Sequence, residues 1–188
     1  MVDSLKDGTI LYHGSYCAVE IPVLEKCSNY KDFGRGFYLT TDKRQAESFA
    51  RISLRKAKEN GLVSETQQFG FVNAFRFDFY ADLKIKVYPD ADVEWLHCIV
   101  AHRRKSAFRN ILEENLKYDI IGGKIANDAT NLTLVAYMSG AYGVMGSSGA
   151  DEFCISLLLP ERLKDQFCFR TDLALQRLTF VGSENGCR

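Results

Sequence analysis

Two short stretches carry residue types that can grip a ligand: Leu11-Tyr12-His13-Gly14-Ser15, and Asp32-Phe33-Gly34-Arg35-Gly36-Phe37-Tyr38-Leu39-Thr40-Thr41. A glycine straight after a histidine at a strand end lets backbone approach a ligand with no Cβ between them. Its N–H and C=O can then hold a planar amide, and the histidine offers a donor and an acceptor to sugar hydroxyls. Gly34 and Gly36 permit a sharp re-entry into a strand that carries Tyr38. A helix that begins soon after Tyr38 brings Phe49 back over the strand end. Tyr38 and Phe49 are then expected to face each other across a slot about 7 Å wide, which stacking geometry would fill with a flat heteroaromatic ring. Taken singly, each feature has a plainer reading. His13 alone fits a hydrogen-bonded core histidine, Gly34 and Gly36 fit a hairpin turn, and Phe49 fits the apolar face of an amphipathic helix. Their occurrence together, in this order, points to a pocket.

The elements that must position these residues follow from local patterns. Thr9 to His13 reads as a first short strand ending at Gly14, and Glu20 to Phe33 as a loop. Phe37 to Thr40 is a second strand. Asp42 is a good N-cap with Gln45 three residues on, the capping-box arrangement; Ala46, Phe49, Ala50, Ile52 and Leu54 supply an apolar stripe, and Gly61 closes the helix. Phe71, Phe75, Phe77 and Phe79 alternate with Val72, Arg76 and Asp78, a period of two, as do Leu83, Ile85 and Val87 in the next strand. Asp90 to Leu116 has helical spacing, with Trp95, Ile99, Phe108 and Leu112 inward and a break near Ser106. Tyr118 to Ile125 reads as a strand, Asn131 to Val144 as a helix, and a further helix stops near Pro160. Gln166 to Arg170 and Leu178 to Val181 are short strands separated by a helical turn starting at Thr171. Strands and helices do not alternate strictly, so an α+β domain with mainly antiparallel sheets is expected.

The chain has 188 residues, 46% hydrophobic and 26% charged, with zero formal net charge. That is one domain, 1–188, large enough for a single core. Broad electrostatic attraction to nucleic acid or an anionic membrane is not indicated. The basic run His102-Arg103-Arg104-Lys105 reads as a solvated helix face. No stretch approaches the ~20 apolar residues of a spanning helix, and the first residues lack the pattern of a signal peptide. Cys17, Cys27, Cys98, Cys154, Cys168 and Cys187 contain no C-x-x-C pair, so no metal site is expected; reduced thiols in a cytoplasmic protein are.

Leu11 to Ser15 followed by Phe33 to Leu39 resembles the NAD-binding signature of the poly(ADP-ribose) polymerase and diphtheria-toxin class of ADP-ribosyltransferases, with Phe49 as the aromatic that follows the tyrosine. Within that class the chain is most similar to the bacterial family of unknown function DUF3990. The likeness is carried by Asp32 to Thr40, Gln45-Ala46, Tyr118-Asp119-Ile120-Ile121-Gly122 and Asp165 to Thr171. It implies an ADP-ribosyltransferase-like split antiparallel β-sheet core with flanking helices.

It also implies residue roles. NAD would be the co-substrate, with His13 on a ribose hydroxyl, Gly14 clamping the carboxamide, Ser15 nearby, and Tyr38 and Phe49 around the nicotinamide ring. A glutamate opens a late strand in that class; the matching position here is Gln166, giving a His13, Tyr38, Gln166 catalytic set. Cleaving the nicotinamide–ribose bond builds positive charge on the sugar, which a carboxylate stabilises. Glutamine can hydrogen-bond but carries no charge, and losing such an element costs on the order of 10²–10³ in rate. Asp165 and Asp119 are the alternative sources of a carboxylate. Slow mono-ADP-ribosyl transfer to a macromolecular acceptor, protein rather than nucleic acid, is therefore expected. The family likeness implies a bacterial toxin or defence factor restrained by an antitoxin-like partner. An NAD- or ADP-ribose-binding module without turnover is the alternative. RNA 2′-phosphotransfer uses the same fold but needs basic residues around the pocket, where only Lys31 and Arg35 are available.

Overall fold

A computed structural model describes residues 5–29, 31–126, 128–159 and 163–186. The described strands form two sheets. The first has the order β1 (Ile10–Ser15), β3 (Phe71–Phe77), β7 (Leu178–Asn185), all antiparallel. The second has the order β2 (Phe37–Leu39), β6 (Asp165–Phe169), β5 (Ile120–Lys124), β4 (Ile85–Val87). Its β4–β5 pair is parallel, the exception to the expected antiparallel pairing.

The two sheets pack face to face. Leu11, Phe75 and Phe77 from the first meet Phe37, Leu39, Ile120, Phe167 and Phe169 from the second in one buried cluster. The period-two pattern of β3 produces this: Phe75 and Phe77 point inward and are fully buried. The alternation continues in sequence to Phe79, but the strand ends at Phe77 and Phe79 is exposed.

The outer face of the first sheet is covered by α1 (Lys43–Glu59), whose Ala46 and Ala50 meet Val72 and Tyr12. The Asp42 side chain accepts hydrogen bonds from the backbone N–H groups of Arg44 and Gln45, as an N-cap should. The reciprocal half of the capping box is not made. Gln45 instead donates through Nε2 to the Asp165 carbonyl at 2.9 Å, tying the helix start to β6. Gly61, at φ +64°, ends the helix as expected.

The outer face of the second sheet is covered by α2 (Val93–Arg103), α4 (Asp128–Met138) and α5 (Ser148–Leu158), with Trp95, Ile99, Leu134, Tyr137 and Cys154 in the buried cluster. The expected break near Ser106 separates α2 from α3 (Arg109–Asn115). Thr171 caps α6 (Asp172–Leu175) through its hydroxyl. Pro160 and Cys187 lie outside the described residues; the other five cysteines are unpaired, and Cys98, Cys154 and Cys168 are buried. Among the described residues, no helix is long and apolar enough to cross a membrane.

The basic run behaves differently from a solvated face. His102 is buried, and Arg103 turns inward to pair with Asp32 at 2.6 Å. The helix α2 is apolar on several sides because it packs between the sheet and α5, so its last turn is drawn inward as well.

Candidate functional site

Strands β1 and β2 meet at one point and then part. Tyr12 and Thr40 exchange both backbone hydrogen bonds, at 2.8 and 3.0 Å. Backbone groups alternate direction along a strand. The odd residues of β1 face β3, as the Phe77 N–H to Thr9 carbonyl bond of 2.9 Å shows, so Gly14 points its N–H and C=O to the β2 side, like Tyr12. Among the described residues neither group of Gly14 finds a partner there.

The Tyr38 carbonyl, which would have paired with Gly14 in a continued ladder, is taken by the His13 ring through Nδ1 at 2.8 Å. A carbonyl only accepts, so Nδ1 carries the proton. Burial holds the His13 pKa below its ordinary value, with the bond to the Tyr38 carbonyl pulling the other way. The ring is neutral and Nε2 is an acceptor without a partner among the described residues. Its face rests on Phe37, centroid to centroid 4.3 Å. The result is a fork between two strands, lined by one free backbone donor, one free carbonyl and one imidazole acceptor.

Gly14 is obligatory for a reason other than ligand approach. A Cβ there would collide with the Ala46 carbonyl oxygen and come within 2.6 Å of the Ala50 nitrogen and 2.9 Å of Phe49 Cβ. The glycine lets α1 lie directly on β1, which sets Phe49 beside the fork. Phe49 is 37% exposed and belongs to none of the buried clusters, so the plainer reading of it as a core residue does not hold.

Tyr38 lies on β2 with its ring against the cluster behind the second sheet. Its hydroxyl accepts from the Phe33 N–H at 2.9 Å and donates to the Gly34 carbonyl at 2.8 Å. Burial, then the nearby Cys168 and Asp32, push its pKa well above the usual phenol value. Tyr38 therefore anchors the loop from Asp32 to Gly36. Among the described residues its ring and that of Phe49 are not in contact. Gly34 has φ +82°, and a side chain there would lie 2.8 Å from His102 Nδ1; the loop is pressed flat on that imidazole. Burial and the neighbouring Arg170 charge lower the His102 pKa to about 4. Ser15 is buried at the end of β1, its Oγ 3.8 Å from Cys17 Sγ.

Gln166 lies on β6 opposite Gly123, and the β2–β6 register carried on from Leu39↔Phe167 puts it beside Thr40, at the root of the fork. Its side chain is buried and donates from Nε2 to Asp32 Oδ2 at 2.8 Å. The sequence places Asp32 at the head of the second motif without a role of its own, and in the structure it is the centre of this region. Its Oδ1 accepts from Arg103 Nε at 3.0 Å and Nη2 at 2.6 Å, and its Oδ2 from the Ala126 N–H at 3.1 Å and from Gln166. Nothing in a short sequence window links positions 32, 103, 126 and 166. Asp165 and Asp119 are engaged elsewhere. Asp165 binds the Thr40 and Thr41 hydroxyls and the Thr41 N–H; Asp119 accepts from the Lys84 N–H and the Thr171 hydroxyl. Lys31 and Arg35 are exposed, and Arg35 donates to the Leu24 carbonyl.

No curated protein and no solved structure gives a significant match to the chain. The family profile described as protein of unknown function (DUF3990) matches residues 9–180. That span takes in the fork, the Asp32 loop, α1 and Gln166, and the chain belongs to the DUF3990 family.

Proposed function

We propose that this chain is an NAD-dependent mono-ADP-ribosyltransferase with an ADP-ribosyltransferase-like split-sheet core. The observation that carries the reading is the fork: the Gly14 N–H and C=O stand unpaired beside an exposed Phe49, next to an imidazole held neutral with a free acceptor nitrogen. A primary carboxamide on a flat ring needs one acceptor and one donor in line, and a backbone pair supplies both. A ribose hydroxyl needs an acceptor, which His13 Nε2 supplies. Phe49 covers the ring from the α1 side, and Tyr38 holds the loop that borders the site.

In the reaction the bond between C1′ of the ribose and the nicotinamide nitrogen breaks, and its electron pair leaves with nicotinamide. A nucleophile of a macromolecular acceptor, a protein side chain in this reading, then bonds C1′ and releases its proton to solvent. Gly14 would hold the carboxamide as the ring departs. With Gln166 neutral, no side-chain carboxylate at that position stabilises the cation, so turnover is slow. A toxin or defence role with a restraining partner protein follows from the family likeness alone.

One observation favours a second reading, an NAD- or ADP-ribose-binding module without turnover. The Gln166 amide is already bound to Asp32, and both alternative carboxylates, Asp165 and Asp119, are committed to other partners. Nicotinamide release separates the two. Wild type, Phe49→Ala and Tyr38→Ala are incubated with NAD, with and without lysate as acceptor. Release that requires wild-type Phe49 and Tyr38 and rises with lysate supports the transferase. Binding without release supports the module, and no NAD binding at all defeats both.

A further inference from the structure

The Asp32 carboxylate has about four lone-pair sites, and all are occupied: two by Arg103, one by the Ala126 N–H and one by Gln166 Nε2. A carboxylate that only accepts dictates which end of an amide faces it. The Gln166 nitrogen must turn toward Asp32, and Oε1 must turn away. Among the described residues Oε1 accepts no hydrogen bond. Arg103 supplies one positive charge, which matches the single negative charge of Asp32.

We propose that Asp32 is a positioning residue that fixes the polarity of the Gln166 carboxamide, so that Oε1 is presented as an acceptor to a ligand hydroxyl and position 166 requires an amide, not an acid. This rests on the NAD reading for the identity of the hydroxyl, a ribose hydroxyl of the nicotinamide half. It does not rest on that reading for the geometry. A glutamate at 166 would set a second carboxylate against Asp32 Oδ2 with one arginine between two charges. The other titratable groups around this point do not relieve it. Tyr38 from β2, Cys168 from β6 and Cys98 from α2 are neutral, with the Cys168 thiol pushed up to about 12 and the Cys98 thiol to about 11, in each case chiefly by burial. Of the bases nearby, His102 from α2 is neutral, its pKa lowered to about 4 chiefly by burial, Arg170 beyond β6 donates to the Asn115 and Tyr118 carbonyls, and Lys124 from β5 donates to the Leu163 carbonyl at 3.0 Å.

The test uses the full chain and three variants: Gln166→Glu, Asp32→Asn, and the double exchange Asp32→Asn with Gln166→Glu. Thermal unfolding of each is followed from pH 4.5 to 8 without ligand, and NAD affinity is measured by calorimetry. In Gln166→Glu the carboxyl pair holds a proton in the folded state that the unfolded chain releases near pH 4.3. Relative to wild type, stability therefore falls as pH rises above that value. Asp32→Asn lets the amide turn round, so Oε1 is used internally and NAD affinity drops about tenfold, the worth of one hydrogen bond. The double exchange restores an acceptor outward and an inward pair with only one charge. It removes the extra pH slope and recovers most of the lost affinity, a coupling that mere loss of packing would not produce.

A Gln166→Glu profile parallel to wild type overturns the geometry, and it decides the matter even if Asp32→Asn does not fold. Unchanged NAD affinity in a folded Asp32→Asn overturns the positioning role. Wild type that binds no NAD defeats the functional reading while the pH profiles still report on the amide.

Discussion

His13 Nδ1 stands 2.8 Å from the Tyr38 carbonyl oxygen, occupying with a side chain the position that a backbone N–H would fill if β1 and β2 stayed paired. One strand pair is thus stopped one residue after the Tyr12–Thr40 bridge, and a fork opens in which Gly14 keeps both backbone groups free.

Replacing His13 with Ala should let the ladder either close or take up water at this point. NAD affinity is expected to fall at least tenfold, with a smaller effect on the unfolding midpoint, because one hydrogen bond of the half-buried ring is lost. Calorimetric titration with NAD beside thermal unfolding separates the two. Wild-type affinity in the variant would remove His13 from the site.

Phe49 is partly exposed and outside the core, so Phe49→Ala should change stability by less than about 1 kcal/mol, as surface substitutions do. If the ring covers nicotinamide, NAD affinity still falls several-fold. Equal affinity in wild type and variant would leave the fork without its lid.

Gly14→Ala forces a methyl group against the Ala46 carbonyl and the Ala50 nitrogen. Helix α1 must lift off β1, at a cost of roughly 1–3 kcal/mol by analogy with overpacked cores. Urea unfolding reads this directly; an unchanged midpoint would mean that the close approach of helix and strand is not as described.

Arg103→Met removes the cation but leaves the buried Asp32 carboxylate. Breaking such a pair from one side costs on the order of 3–5 kcal/mol. Because the penalty comes from a carboxylate left without its cation, the double variant Arg103→Met with Asp32→Asn should be more stable than Arg103→Met alone. Urea unfolding of the two variants beside wild type tests this, and a double variant no more stable than the single one would assign the loss to packing.

The His102 imidazole is held neutral, its pKa lowered from 6.5 to about 4 by burial and by Arg170. The unfolded chain takes up a proton near 6.5 and the folded chain only near 4. Stability from this group is therefore complete above pH 6.5 and is lost as pH falls through 4, by roughly 3 kcal/mol in total. His13, lowered in the same direction, adds to the slope. His102→Gln should flatten the curve between pH 6.5 and 4 whatever it does to the midpoint. A slope unchanged from wild type would place the titration elsewhere.

Local patterns in the sequence were enough for most of the elements. The alternation of Phe75 and Phe77, the caps at Asp42 and Thr171, the break between α2 and α3 and the glycine at 61 depend on contacts a few residues long, and the chain carries them in plain order. The motif residues His13, Gly14, Tyr38 and Phe49 could be named for the same reason. Their arrangement could not. Gln45 leaves its own helix cap for the Asp165 carbonyl, a choice made by a strand 120 residues away. His102 and Arg103 turn inward because α2 lies between a sheet and α5, which no charge count reveals. Asp32 joins Arg103 at 71 residues' separation and Gln166 at 134. Propensity and periodicity act within a turn or two of chain. The fork and the Asp32 centre exist only where packing brings distant strands together and each buried polar group must find its partner.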